Sequence, residues 1–158
     1  MSTGTTSNHP QPARPPENSV TVLSISPIEA DHVFLRNVFS PSNWRVHGVR
    51  SRREALAWLR WQNAPVVLCE EALPDSGWKQ VLREIASCPD PPELIVTSRL
   101  ADDALWAEVL NLGAYDLLMK PFDLTEVFRV VSLAWRHWKN NWERARIPPL
   151  AVRQALSA

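Results

Sequence analysis

The chain has 158 residues, of which 45% are apolar, and its formal net charge is zero. That length and apolar share suit one domain with its own core, and they exclude a wholly disordered chain. A balanced charge excludes a global field that would draw the protein to nucleic acid or anionic lipid, and no apolar run approaches the roughly 18 residues of a membrane span.

Residues 1–18 (MSTGTTSNHPQPARPPEN) are polar and proline-rich without apolar periodicity, which predicts a disordered tail with no export signal. Order is expected from Ser19. Val20–Ile25 reads as a strand. Ala30, Val33, Phe34 and Val38 at helical spacing predict a helix over 28–40 with those residues inward. Trp44–Val49 is a short strand, and Ala55, Leu56 and Leu59 mark a helix over 52–62. The unbroken apolar run Pro65–Cys69 predicts a strand covered on both faces. Helix 78–87, strand 93–97, helix 101–112 closed by Gly113, and strand 115–119 follow, then a long helix from Asp123 with Thr125 and Glu126 in its first turn.

Five strands alternating with five helices predict an α/β fold: a doubly wound, flavodoxin-like parallel five-stranded sheet with an extended last helix. In such folds the functional edge lies beyond the carboxyl ends of the strands. Ser26 and Pro27, Glu70 and Glu71, Thr97 and Ser98, and Lys120 and Pro121 are therefore the candidate positions.

Three separated segments carry a resemblance. GAYDLLMKPF (113–122), IVTS (95–98) and VVLCEEALPDSGW (66–78) occur in order and at the right intervals. Over about residues 19–137 the chain resembles the receiver domains of response regulators. The resemblance implies phosphoryl transfer to an Asp, with Mg²⁺ and a Lys neutralising charge. The implied acceptor position, four residues before Pro74, is Glu70. Its carboxylate is one methylene longer, displaced by over ~1 Å, and in-line transfer is sensitive to such a shift. The implied acidic pair that holds Mg²⁺ falls on Ser26 and Pro27, or in a shifted register on Ser24 and Ile25, and neither supplies an acid. Glu29 and Asp31 lie nearby but are expected on the solvent face of the first helix. Weak or absent Mg²⁺ binding, and no other cofactor, is the expectation.

Two implied functional residues are retained. Thr97 matches the hydroxyl that contacts the phosphoryl group, and Lys120 matches the Lys, with a cis peptide permitted before Pro121. The implied aromatic switch position is Leu117, while Tyr115 sits two residues earlier on the same strand face. Glu70 and Lys120 are expected to form an ion pair in an otherwise non-acidic pocket. There Glu70 either imitates a phosphorylated Asp or serves only to close the cleft.

Eight tryptophans are many for this length. Phe128, Val131, Trp135, Trp138, Trp142 and Ala145 alternate in steps of three and four, predicting one stripe along the last helix, which runs past His137 to about Arg146. Trp135, Trp138 and Trp142 are thus expected to form an interface, for a homodimer or a protein partner, unless residues 147–158 fold back over them. Trp58, Trp61 and Trp106 are expected at the edge of the core. Arg45, Arg50, Arg52, Arg53 and Arg60 read as a solvated basic face rather than a nucleic-acid surface.

Cys69 and Cys88, without CxxC or metal spacing, indicate a reduced, cytoplasmic protein. The favoured function is a stand-alone, non-enzymatic pseudo-receiver in two-component or phosphorelay signalling. It would bind a sensor kinase or a downstream signalling protein, the 21 residues after 137 being too few for an output domain. The alternatives are a phospho-accepting receiver with unusual ligands, and a small flavodoxin-like enzyme or ligand-binding protein. The latter is disfavoured by four glycines and no phosphate-cradling loop.

Overall fold

The computed structural model describes residues 19–147. The strands are β1 (Thr21–Ile25), β2 (Arg45–Val49), β3 (Val66–Glu70), β4 (Glu93–Ser98) and β5 (Asp116–Met119). The helices are α1 (Glu29–Phe39), α2 (Arg52–Leu59), α3 (Trp78–Ile85), α4 (Asp103–Asn111) and α5 (Leu124–Ala145). All strand pairs are parallel and the order is β2-β1-β3-β4-β5. The fold is thus the flavodoxin-like, doubly wound sheet.

Because β1, β3 and β4 are central, both faces of each are covered, and Val22, Leu23, Val66, Val67 and Ile95 are fully buried. Strand parity sends alternate residues into two cores. Leu23, Ile25, Val67, Cys69, Leu94 and Val96 pack with Ala55, Val81, Ile85 and Val109 of α2, α3 and α4. Val22, Val66, Leu68, Ile95 and Leu118 pack with Leu35, Val38, Phe39, Val127, Val131 and Ala134 of α1 and α5. The starts of α2, α4 and α5 carry side-chain caps: Ser51 accepts from the Glu54 amide, Asp102 from Leu105 and Asp123 from Glu126. Gly113 follows α4 with φ +98°, the left-handed conformation that glycine adopts without a Cβ clash.

Three expectations are corrected by the packing. In α1 the inward face is Asp31, His32, Leu35, Val38 and Phe39, whereas Ala30 and Val33 are exposed. The first turn of α1 faces the polar sheet edge, so its inward residues there are polar. In α5 the predicted stripe does not hold as one face. Val127, Val130, Val131 and Ala134 are buried while Phe128 is exposed, because the side against the sheet is centred on those four residues and Phe128 lies about 100° further round the helix from Val127. Trp61 (84% exposed) and Trp106 are surface residues, and only Trp58 packs at the core edge, stacked on His47 at 5.0 Å. The expected N-terminal tail and the fold-back of Leu150, Val152 and Leu156 lie outside the described residues.

Candidate functional site at the carboxyl edge of the sheet

The ends of β1, β3, β4 and β5 converge because their ladders continue past the strands. The Ser26 amide donates to Val49 O, Glu71 to Thr97 O and Lys120 to Ser98 O, at 2.9–3.0 Å. This fixes Ser26, Glu70, Thr97 and Lys120 around one point.

At its centre is the Lys120 ammonium, whose side chain is 3% exposed. Its Nζ lies 2.6 Å from Glu70 Oε2 and 2.6 Å from Asp31 Oδ2. Thr97 Oγ1 donates to the same Glu70 oxygen at 2.9 Å. Ser26 Oγ donates to the same Asp31 oxygen at 2.7 Å and accepts from the Ile28 amide. The pocket therefore contains two carboxylates about one cation. The expectation of a solvent-facing Asp31 and an otherwise non-acidic pocket is overturned. The first turn of α1 enters the cleft and carries Asp31 with it. Spacing does hold the signal, since Asp31, Leu35 and Val38 fall at i, i+4 and i+7, the apolar face of α1 extended by one turn.

Below Asp31 lies a histidine that sequence reasoning did not connect to the site. His32 is buried; its Nε2 meets the Ser26 carbonyl oxygen and its Nδ1 meets Ser24 Oγ, each at 2.9 Å. A carbonyl only accepts, so Nε2 carries a proton. The ring occupies space that Gly48 leaves open: a Cβ there would stand 2.8 Å from His32 ring atoms.

The loop after β3 is tied down on both sides. Ser98 Oγ donates to Glu71 Oε2 at 2.5 Å. Asp75 accepts from the Arg52 and Arg53 amides at 3.1 Å each, capping α2 from across the cleft. Desolvation pushes the Asp75 carboxyl up. The Arg53 and Arg52 amides, its own amide and the Arg52 guanidinium outweigh this and hold it below the usual carboxylate value. Pro27 offers its carbonyl to Arg50 Nη2 at 2.8 Å. Lys120–Pro121 is cis. Phe122 packs on Phe34, with ring centroids 5.4 Å apart. Leu117 is buried, and Tyr115 lies by His137 at 5.7 Å, away from the cleft.

Could these residues hold Mg²⁺? The ion needs near-octahedral oxygen ligation, generally with carboxylates. Asp31 Oδ2 and Glu70 Oε2 both face an ammonium 2.6 Å away, and the end of β1 offers a hydroxyl already hydrogen-bonded to Asp31 and a proline. Among the described residues no group of three or more His, Cys, Asp or Glu could hold a metal ion. The residues present do not fit the cation: the cleft offers two carboxylates, and both are already paired with Lys120.

Trp135, Trp138 and Trp142 are not part of this cleft. Trp135 packs edge-on against Trp44 at 5.6 Å. Trp138 and Trp142 stack at 6.2 Å near the opposite end of the sheet, where Arg146 covers the Trp142 ring at 3.8 Å and pairs with Asp90 at 2.9 Å. The end of α5 thus folds against the loop before β4 rather than standing clear of the domain. Cys69 is buried, and its thiol is pushed up, first by desolvation and then by the Glu70 and Asp75 charges, so it is an unreactive core residue. No helix among the described residues is long and apolar enough to cross a membrane.

Comparison with known proteins agrees with this architecture. Protein CcdB of Bacillus subtilis is 25% identical over 117 residues, covering 73% of this chain and 98% of that protein. The chemotaxis protein CheY of Thermotoga maritima is 21% identical, covering 70% and 93%. A crystal structure of a signal receiver domain from Vibrio parahaemolyticus superimposes with a TM-score of 0.75 at 18% identity, covering 82% of this chain and 99% of that one. The profile of the response regulator receiver domain matches residues 31–132, and the chain belongs to that family.

Proposed function

We propose that this receiver domain of two-component signalling is a pseudo-receiver, a non-enzymatic protein-interaction module whose cleft is held by its own side chains. One observation carries the reading. Glu70 Oε2 already accepts from both Lys120 and Thr97, the two groups that the family resemblance assigns to the phosphoryl group. Asp31, entering from α1, takes the other side of the ammonium. A phosphoryl group on Glu70 would have to displace both contacts and add negative charge beside Asp31. Without a divalent cation, only Lys120 would oppose that charge. The partner is a sensor kinase or a downstream signalling protein, and the setting is cytoplasmic.

Intact-mass measurement after treatment with acetyl phosphate and Mg²⁺ tests this. The expected result is no phosphoryl increment on the wild type. An increment that maps to Glu70 and disappears in Glu70→Gln would replace this reading with that of a phospho-accepting receiver with unusual ligands.

A further inference from the structure

Between its carboxyl and amino edges the sheet is bounded by two outer strands, β2 and β5. In β2 the Arg45 amide donates to Val20 O, and Val49 O accepts from the Ser26 amide. With the parallel register running from Thr21↔Arg45 to Ile25↔Val49, the ladder turns the backbone groups of Arg45, His47 and Val49 toward β1. The N–H and C=O of Val46 and Gly48 therefore point outward. Trp44 and Arg50 share that outward parity, but their amides are taken by Ser42 Oγ at 3.2 Å and Glu54 Oε2 at 2.9 Å. Among the described residues, the outer side of β2 is thus capped at both ends and unpaired in its middle.

Side chains flank that middle from both layers. On the α2 side, Trp58 stacks on His47 at 5.0 Å, Glu54 stands one turn before it, and Trp61 follows it, exposed. On the α1 side, His32 fills the space over Gly48, and Arg36 stands one turn further on. The charge here is positive. Arg45, Arg53 and Arg60 are exposed, and the two acids beside them are engaged, Glu29 with Arg36 at 3.4 Å and Glu54 with the Arg50 amide. The His47 imidazole is held below the ordinary histidine value, first by desolvation, then by the charge of Arg36 and by His32.

We propose that the outer side of β2 takes an extended acidic segment of a protein partner as an added strand. A peptide backbone matches the donor and acceptor that Val46 and Gly48 each present, whereas a phosphate backbone brings acceptors only. Alternate carboxylates of the segment fall among the arginines, and Trp61 offers an exposed aromatic face to its apolar side chains. A second copy of this chain is the wrong occupant, because β2 against β2 brings two sets of arginines together. Charges on an outer strand guard it against indiscriminate pairing; here they also select the sign of the partner. The surface is independent of the reading of the carboxyl-edge cleft.

The test is an NMR titration of the ¹⁵N-labelled full chain with a short end-blocked peptide of alternating glutamate and valine, and with its lysine–valine counterpart. The acidic peptide is expected to shift the amide resonances of Val46 and Gly48 saturably. At a free concentration about ten times its Kd it should slow their hydrogen exchange about tenfold. The lysine peptide is expected to leave both unchanged. Arg45→Glu, at an exposed position, is expected to weaken the acidic peptide about fivefold. An acidic peptide that fails to bind, or that binds and leaves Val46 and Gly48 unmoved, would overturn the proposal. An equal response to the lysine peptide, or a stronger one to an oligothymidylate, would overturn it too. So would Val46 and Gly48 amides that exchange in the free chain as slowly as those of Arg45 and His47, since the strand would then already be covered.

Discussion

The two ends of the sheet are built from opposite materials. At the carboxyl edge, Asp31, His32, Glu70, Thr97, Ser98 and Lys120 are buried or nearly so. Among the described residues none of their buried polar atoms is left without a partner. At the amino edge, Trp138, Trp142 and a run of prolines leave open grooves. A cleft whose buried donors and acceptors are engaged internally resists change, because any newcomer must first break a buried hydrogen bond or ion pair. An aromatic groove asks only that water leave. Of the two regions, the carboxyl edge is closed by its own side chains, and the amino edge leaves aromatic side chains beside open space.

The contrast breaks most visibly at Lys120. Lys120→Met is expected to cost about 3–5 kcal/mol, since it leaves the Asp31 and Glu70 carboxylates buried near each other without a counter-charge. Urea denaturation gives the value. Adding Asp31→Asn and Glu70→Gln should restore most of the loss, because both orphaned charges are gone. A loss under about 1 kcal/mol, the range of exposed ion pairs, would mean that the centre is wet and not a structural lock.

Gly48→Ala comes next, at about 1–3 kcal/mol, the range for forcing extra volume into a packed interior. The new Cβ must push on the His32 ring, which is held by Ser24 and Ser26 O. In a His32→Ala background the same substitution should cost far less, and denaturation of the four proteins gives that coupling directly.

Legibility in the sequence follows the same division. All five strands and five helices were readable, since periodicity and length report burial against a sheet. Glu70, Thr97 and Lys120 were readable as residues at the carboxyl ends of predicted strands, with roles that the family resemblance implied. Asp31 and His32 were missed although Asp31 continues the Leu35 and Val38 face by one turn, because a pattern read from apolar residues alone leaves an acid and a histidine to solvent, and the fold shows that the first turn of α1 abuts the polar edge. Trp61 and Trp106 failed in the other direction: bulk apolar character predicts burial, yet both stand on the surface.

Asp75 gives a smaller, pH-dependent effect. Asp75→Ala is expected to cost about 1 kcal/mol at neutral pH, as for loss of a helix N-cap. Its carboxyl is held below the unfolded value of 3.8, so the unfolded chain binds this proton more readily. The contribution is therefore complete above that value, shrinks as pH falls through it, and is gone below the folded pKa. Stability profiles of the wild type and variant should run parallel near neutrality and converge in acid. Profiles that stay parallel throughout would show that Asp75 does not act as a charged cap.

The smallest effect is expected at the amino edge. Arg146 and Asp90 are about two-fifths exposed, so the ion pair is worth about 0–1 kcal/mol, with a similar increment from the guanidinium over Trp142. Arg146→Ala should barely move the global midpoint. It should raise amide exchange selectively over the last turns of α5, near Trp142, since Arg146 ties those turns to Asp90 of the loop before β4 and they lie beyond the buried face of the helix. Exchange that rises instead across β4 and β5 would show that the end of α5 is part of the cooperative core. An edge so coupled would open only together with the sheet, and the contrast in local stability between its two ends would vanish.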